Sequence, residues 1–249
     1  IAESDKYHGE TRQLAQDIID AYKNLKKDSK IEKLIEIVDK TLKNDADAKI
    51  LLYTKHPTTL KYIVEKLAPY NLKIVEFVGG LSREEKTERI AQFKNDAQIM
   101  ISTETGAEGL NFQFCNVLIN YDLPWNPMSV EQRIGRLDRI GQKRDMYIYS
   151  LATKDTMEEH VVDLIINKMC CIGLVIGELP TILFNLGMDG PGKAGLGKIE
   201  EMLMDSFIDS KNNLEIFAQG VDAISKMIEN GVKEYTKAKE ASAEVLDGK

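Results

Sequence analysis

The alternation of short apolar segments with helical segments constrains the fold of this chain most. Pro57 and the capping-box pairs Ser82–Glu85, Ser129–Gln132 and Thr156–Glu159 predict where four helices begin. Between these helices, we expect strands at 50–54, 72–77, 98–103, 116–122 and 146–151. Strands that alternate with helices form βαβ units. The sequence therefore predicts an α/β fold with a parallel sheet flanked by helices.

Helical segments precede and follow this alternation. Ile31, Leu34, Ile35, Val38 and Leu42 recur at helical spacing within 1–44, and 170–249 is helical in pattern around a Gly-rich loop. We expect three parts: a helical N-terminal extension at 1–44, the α/β lobe at 45–168, and a helical C-terminal extension at 169–249.

Charge and cysteine content limit the possible functions. The net charge of −7 argues against a basic nucleic-acid coat, although a local basic groove is still possible. Nine Lys, fourteen Asp or Glu and no Arg follow His160, which gives that part −5, so phosphate chemistry belongs to the front part. The three Cys and three His lack metal-ligand spacing, and we expect reduced thiols and no metal site. The apolar stretch 169–188 contains Glu178 and Pro180, which favours a buried helix–loop–helix over a membrane span.

An arginine-rich segment follows the fourth predicted strand. The chain has seven Arg, and three of them lie at 133, 136 and 139. On a helix, Arg136 and Arg139 share a face, and Gln132 lies one turn before Arg136. Arginine binds phosphate oxygens two at a time, so this cluster indicates a phosphate sensor. The alternative is a solvated helix face.

Several loops fall at the carboxyl ends of the predicted strands, where parallel sheets bind ligands. They are 54–58, 79–82, 103–111 and 122–126. In the third loop, Gly106 and Gly109 allow a ligand to approach the backbone, and Ser102, Thr103 and Asn111 offer neutral hydrogen-bonding groups. Trp125 follows the fourth strand; core packing is its default role, and a contact across a domain cleft is the alternative.

A second phosphate-binding motif is not credible. Gly192–Lys198 matches GxxxxGK, but Ile199 stands where a Ser or Thr should bind Mg²⁺. Glu158-Glu159-His160 faintly resembles an acidic box, yet it begins a predicted helix. The chain therefore carries an arginine segment without a credible P-loop or an acidic magnesium-binding motif.

Taken together, these motifs resemble a known family. Five groups of residues follow one another along the chain: Thr54…His56, Gly79-Gly80…Arg89, Ser102-Thr103…Asn111, Asp122…Trp125-Asn126-Pro127 and Gln132…Arg136…Arg139…Gln142. This order is similar to that in the C-terminal RecA-like lobe of Swi/Snf-type ATP-dependent DNA translocases, in helicase superfamily two. The resemblance covers about 30–165. Asp138 departs from the His commonest in eukaryotic members, and the segment is most similar to the bacterial branch that includes RapA.

The resemblance implies roles for matching residues. Arg136 and Arg139 are expected as arginine fingers for the γ-phosphate of ATP, with Gln132, Gly106, Ala107 and Glu108 at the nucleotide cleft. The expected contacts to DNA phosphates are Thr54, Lys55, His56, Gly79, Gly80, Arg83, Ser102 and Thr103.

The resemblance also implies partners. ATP and Mg²⁺ would be held mainly by an N-terminal RecA-like lobe of the same protein, and the chain alone would be inactive. Double-stranded DNA, and RNA polymerase or another DNA-bound complex, are the other expected partners, in the cytoplasm or on the nucleoid of a bacterium, with no membrane. The alternatives are a non-catalytic docking module and a lobe of an RNA helicase.

Overall fold

A parallel five-stranded sheet flanked by helices forms the centre of the molecule, as predicted. The computed structural model describes residues 10–25, 27–103, 110–139, 141–170, 179–187 and 197–246. The strands are β1 Ile50–Thr54, β2 Ile74–Phe77, β3 Ile99–Thr103, β4 Val117–Asn120 and β5 Tyr147–Ser150. The helices are α1 Glu10–Lys23, α2 Ser29–Asn44, α3 Pro57–Leu67, α4 Arg83–Asn95, α5 Pro127–Ile134, α6 Met157–Val162 (continued by a π-helical segment, Asp163–Cys170), α7 Leu179–Asn185, α8 Lys198–Ser210 and α9 Leu214–Leu246.

The order of the strands is β2-β3-β1-β4-β5, and all four pairings are parallel. In this register Thr54 at the end of β1 lies beside Thr103 at the end of β3, and Tyr53 lies beside Asn120 of β4. The carboxyl ends of β1, β3 and β4 therefore meet at one edge of the sheet. This edge holds several of the residues that the sequence marks as candidates.

Two hydrophobic clusters cover the two faces of the sheet. One face of β1, β3 and β4 packs against α2 and α3, which contribute Leu34, Val38, Leu60 and Ile63. The strand residues on this face are Ile50, Leu52, Ile99, Ile101, Val117 and Ile119. Alternate residues such as Leu51, Val75, Met100 and Leu118 face the other side, together with buried residues of α4, α5 and the C-terminal helices. Full burial of an aliphatic side chain stabilises the fold by about 1.5–3 kcal/mol, so these clusters hold the helices on the sheet.

The C-terminal helices extend the second cluster. Leu183 of α7, Leu203 of α8 and Phe217 and Ile224 of α9 are all buried in it. The division at 1–44, 45–168 and 169–249 stays a prediction. Helix α1 differs from the others because none of its described residues is buried, and Leu14, Ile18 and Tyr22 leave 61%, 60% and 57% of their surface exposed.

Local signals explain most element boundaries. At α4 the Ser82 hydroxyl accepts from the Glu85 N–H while the Glu85 carboxylate accepts from the Ser82 N–H, which is the predicted capping box. Gly80 has a φ of 86°, a conformation that suits glycine, and it forms the predicted turn after β2.

The capping of α5 and α6 differs from the prediction, although α6 begins after Thr156 as expected. Asn126 caps α5 by accepting from the Met128 N–H at 2.9 Å, so the helix begins at Pro127 and the predicted Ser129–Gln132 box is wrong. The helix ends at Ile134, with Gly135 as its C-cap residue, and the next amide, that of Arg136, donates to the carbonyl of Arg133 three residues earlier. Beyond this end, the carbonyl of Arg136 accepts from the Phe112 N–H. Thr156 makes no side-chain cap, so the predicted Thr156–Glu159 box is also wrong.

Among the described residues, none of the helices is long and apolar enough to cross a bilayer. No group of three or more His, Cys, Asp or Glu side chains in the same residues is arranged to hold a metal ion.

Candidate functional site

The predicted DNA-contact residues fall into a buried set and an exposed set. Thr54, Ser102 and Thr103 are buried at the ends of β1 and β3, with at most 4% of their surface exposed. The Ser102 hydroxyl donates to the carbonyl of Thr103 at 2.9 Å. Lys55, His56, Gly79, Gly80 and Arg83 are exposed. Only the exposed set presents side chains or backbone to a ligand in solution.

Asp122 organises the edge of the sheet where these residues lie. Its Oδ2 accepts from the Thr54 hydroxyl at 2.6 Å and from the Lys55 N–H at 3.0 Å. Its Oδ1 lies 3.8 Å from Nζ of Lys30, and the same ammonium group lies 2.8 Å from Oε1 of Glu158. Hydrogen bonds to an ionised carboxylate are stronger than neutral ones. Asp122 therefore fixes the end of β1 against the end of β4 and the beginning of α2.

Glu158 extends this network to the segment after β5. Its Oε2 accepts from the Thr153 N–H at 2.9 Å, and its other oxygen binds Lys30. The predicted helix-terminal role of Glu158 is thus joined to a long-range ion pair. The Lys30 ammonium also lies 5.2 Å from the ring centre of Tyr121, whose burial raises the pKa of its hydroxyl.

Arg133 has a structural position that differs from those of the other two arginines of the cluster. It is 4% exposed, and its Nη1 donates to Oδ1 of Asn120 at 2.6 Å and to the carbonyl of Asp122 at 3.2 Å. Its guanidinium lies 4.5 Å from the ring centre of Tyr53. Arg133 therefore fixes α5 against the ends of β1 and β4. Its spacing from Val130 and Leu137, which are both buried, is the sequence signal that predicts an inward position.

Arg136 and Arg139 lie beyond the end of α5, and not on a continuous helix as predicted. Arg136 is half-buried and Arg139 is exposed. Nε of Arg139 donates to the carbonyl of Gly135 at 3.1 Å, while its two terminal amino groups bind no atom of the described residues. Leu137, 1% exposed, anchors the chain between them.

The two segments with the strongest sequence signals lie against each other. The Phe112 N–H donates to the carbonyl of Arg136 at 3.0 Å, which joins the β3–β4 connection to the arginine segment. Gln132, the predicted nucleotide contact on α5, is exposed. Gly106, Ala107 and Glu108 lie outside the described residues, as does most of the Gly192–Lys198 loop.

Glu131, next to Gln132, has a perturbed carboxyl group. Desolvation by burial raises its pKa, since a charged carboxylate is less stable where water is excluded. The group therefore holds its proton more tightly than a solvated glutamate does. Burial therefore disfavours a negative charge on Glu131, directly beside Gln132, the predicted nucleotide contact.

A cavity of about 280 Å³ lies beside the exposed candidates. Lys55, Asp122, Trp125 and Asn126 line it from the lobe, and Glu200 lines it from α8. The ring of Trp125 lies 6.5 Å from that of Phe207 and 6.4 Å from that of Phe217. Trp125 therefore packs against the C-terminal helices, which agrees with its default core role.

Comparisons with known proteins agree with the motif order. The family described as the helicase conserved C-terminal domain matches residues 29–141. An uncharacterized ATP-dependent helicase, YqhH of Bacillus subtilis, is 41% identical over 166 residues, which are 67% of this chain and 29% of that protein. The RNA polymerase-associated protein RapA of Vibrio campbellii is 39% identical over 135 residues, which are 53% of this chain and 14% of that protein.

The chain spans less than a third of the length of these two relatives. Among solved structures, the C-terminal part of the Fun30 ATPase domain is 25% identical, with a TM-score of 0.48 over 61% of this chain and 52% of that chain.

Proposed function

Since residues 29–141 belong to the family of helicase conserved C-terminal domains, we propose that this chain is the second motor lobe of a Swi/Snf-type ATP-dependent DNA translocase. In this role it closes on an N-terminal RecA-like lobe of the same protein and completes the site for ATP hydrolysis. The main observation in support is the arrangement of the arginine segment. Arg133 is buried and stabilises the fold, whereas Arg136 and Arg139 lie on the turn that follows α5.

Arg136 and Arg139 supply positive charge to the γ-phosphate of ATP. Phosphoryl transfer is catalysed mainly by positioning and by neutralising the charge that develops on the phosphate oxygens. A guanidinium group suits this role because it is planar, always charged and able to donate two parallel hydrogen bonds. The terminal amino groups of Arg139 bind no atom of the described residues, which fits a group kept for a ligand. ATP and Mg²⁺ are bound mainly by the first lobe.

Gln132, Gly106, Ala107 and Glu108 border the nucleotide on this lobe. The exposure of Gln132 on α5 supports this proposal, because a residue at a cleft between two lobes must be accessible when the lobes are apart.

The exposed residues at the edge of the sheet bind the backbone of duplex DNA. Lys55, His56 and Arg83 offer cationic or hydrogen-bonding side chains, and Gly79 and Gly80 offer an unobstructed backbone. Contacts to phosphates fix the position of a protein on DNA without reading its sequence, which suits a translocase. The buried Thr54, Ser102 and Thr103 act by shaping the ends of β1 and β3.

The relatives suggest the setting in which this motor works. One of them is named as RNA polymerase-associated, and we propose RNA polymerase or another DNA-bound complex as a candidate partner of this protein. A motor of this kind acts in the cytoplasm, on the nucleoid. The helical segments 1–44 and 169–249 are proposed as extensions of a 45–168 lobe.

The proposal is tested with Arg136→Ala and Arg139→Ala in the protein that contains both lobes. Loss of an arginine finger lowers ATP turnover by about three to five orders of magnitude. The matched control is Arg12→Ala, because Arg12 is an exposed arginine on α1 and belongs neither to the arginine segment nor to the strand ends. Turnover is measured with duplex DNA and with RNA as the stimulant. Normal DNA-stimulated turnover by both finger variants would contradict the proposal, and stimulation by RNA alone would transfer it to an RNA helicase.

A further inference from the structure

The side chain of Gln142 joins three parts of the backbone around the arginine segment. Its Nε2 lies 3.0 Å from the carbonyl of Gln113, 3.2 Å from that of Cys115 and 3.2 Å from that of Leu137. Its Oε1 accepts from the N–H groups of Lys143 and Arg144, at 3.0 and 3.1 Å. Every polar atom of this half-buried amide is therefore engaged with backbone.

These bonds reach both proposed arginine fingers. Leu137, whose carbonyl Gln142 binds, lies between Arg136 and Arg139 in the chain. The N–H of Gln142 donates to the carbonyl of Arg139 at 2.9 Å. The carbonyls of Gln113 and Cys115 belong to the β3–β4 connection, which also holds Arg136 through Phe112. Gln142 thus links the turn that carries the fingers to the rigid sheet.

The preceding residue, Gly141, forms a tight turn beside the side chain of Gln113. Gly141 has a φ of 100°, and a Cβ at this position would lie 2.9 Å from Nε2 of Gln113. Glycine adopts such a conformation without steric cost, whereas other residues rarely do. The tight turn at Gly141 is what brings the Gln142 amide under the arginine segment.

We propose that Gln142 is a positioning residue for Arg136 and Arg139, and that it sets the rate of ATP hydrolysis without touching ATP. The inference rests on the proposed function of those arginines. A catalytic group that is displaced by about 1 Å can lose on the order of a hundredfold in rate. An amide that fixes the backbone between two fingers controls displacements of that size.

The experiment uses Gln142→Glu and Gln142→Met in the protein that contains both lobes. The glutamate keeps the shape of the side chain but places a carboxylate oxygen against three carbonyls, and the methionine removes the hydrogen bonds without adding charge. We expect kcat for DNA-stimulated ATP hydrolysis to fall about a hundredfold, with KM for ATP and the affinity for DNA within about twofold of the parent.

The matched control is Gln98→Glu. Gln98 is also half-buried, and its Oε1 accepts from the Lys73 N–H at 2.9 Å, next to the beginning of β3 and away from the arginine segment. We expect this variant to keep its kcat. An equal loss of kcat in Gln98→Glu and Gln142→Glu would overturn the proposal, because a general loss of stability would then explain both.

A double-mutant cycle separates positioning from folding. If Gln142 acts through Arg136, then Gln142→Glu lowers kcat much less in an Arg136→Ala protein than in the parent. If Gln142→Glu lowers kcat by the same factor in the Arg136→Ala protein as in the parent, the inference is overturned. Failure of both Gln142 variants to fold, as judged by their melting temperatures, would also overturn it. Normal kcat in both Gln142 variants beside a disabled Arg136→Ala protein would refute this inference alone. Normal turnover by the Arg136→Ala and Arg139→Ala proteins would instead refute the proposed function.

Discussion

Replacement of Arg133 by methionine tests whether the arginine cluster is divided between structure and catalysis. The change removes hydrogen bonds from a charged donor, among them those at 2.6 and 3.2 Å, and the contact with the Tyr53 ring. Bonds to a charged group contribute about 1.5–3 kcal/mol each, and a desolvated cation–π contact contributes about 2 kcal/mol. Relief of the buried charge offsets part of this loss, which leaves a destabilisation of about 3 kcal/mol.

The assay is thermal and urea unfolding of the chain, followed by circular dichroism. For a protein of this size a loss of about 3 kcal/mol lowers Tm by roughly 6–12 °C. Arg139→Met is the control, and it should change the free energy of unfolding by less than about 0.5 kcal/mol, because Arg139 is exposed and makes one hydrogen bond to backbone. Equal destabilisation by the two variants would refute the division.

Three further predictions concern buried or strained groups. Glu131→Gln should raise Tm at pH 7 but not at pH 4. Burial raises the pKa of the Glu131 carboxyl, so the stability that the protonated group contributes is lost as pH rises through the raised pKa. Equal gains in Tm at both pH values would contradict this prediction. Cys115 should resist iodoacetamide in the native protein at pH 8, as read by peptide mass, since burial raises the pKa of its thiol to about 12; rapid native labelling would be the adverse result. Gly141→Ala should lower the free energy of unfolding in urea by about 1–3 kcal/mol, whereas Gly135→Ala, with ordinary φ, should change it little; comparable effects would refute the strain argument.

The central sheet could be predicted because its signals are local. The run 50–54 and the proline at 57 set β1 and α3: β1 has the predicted bounds, and α3 begins at the predicted residue. The strands expected at 72–77 and 116–122 are shorter, at Ile74–Phe77 and Val117–Asn120, and the chain bends at 121–122 directly after β4. The expected resemblance to the Swi/Snf-type lobe is confirmed by the family match and by the relatives.

The arrangement of the candidate site could not be predicted in the same way, because it depends on contacts between distant residues. No local sequence signal shows that Asp122, after β4, accepts a hydrogen bond from Thr54 at the end of the neighbouring β1. None shows that the carbonyl of Arg136 accepts from the Phe112 N–H. The second of these contacts holds the turn that carries the arginine pair against the β3–β4 connection. The inward position of Arg133 could have been predicted from its helical spacing from Val130 and Leu137. The number of arginines in the segment does not contain that information.

The proposed role as a second motor lobe is tested by the ATPase activity of this chain, with and without duplex DNA, before and after addition of an N-terminal RecA-like lobe. We expect no turnover by the chain alone and DNA-stimulated turnover once the first lobe is present, and we expect Arg136→Ala to abolish that turnover. Turnover by the chain alone would contradict the proposed role, and would move the chemistry to the Gly192–Lys198 loop.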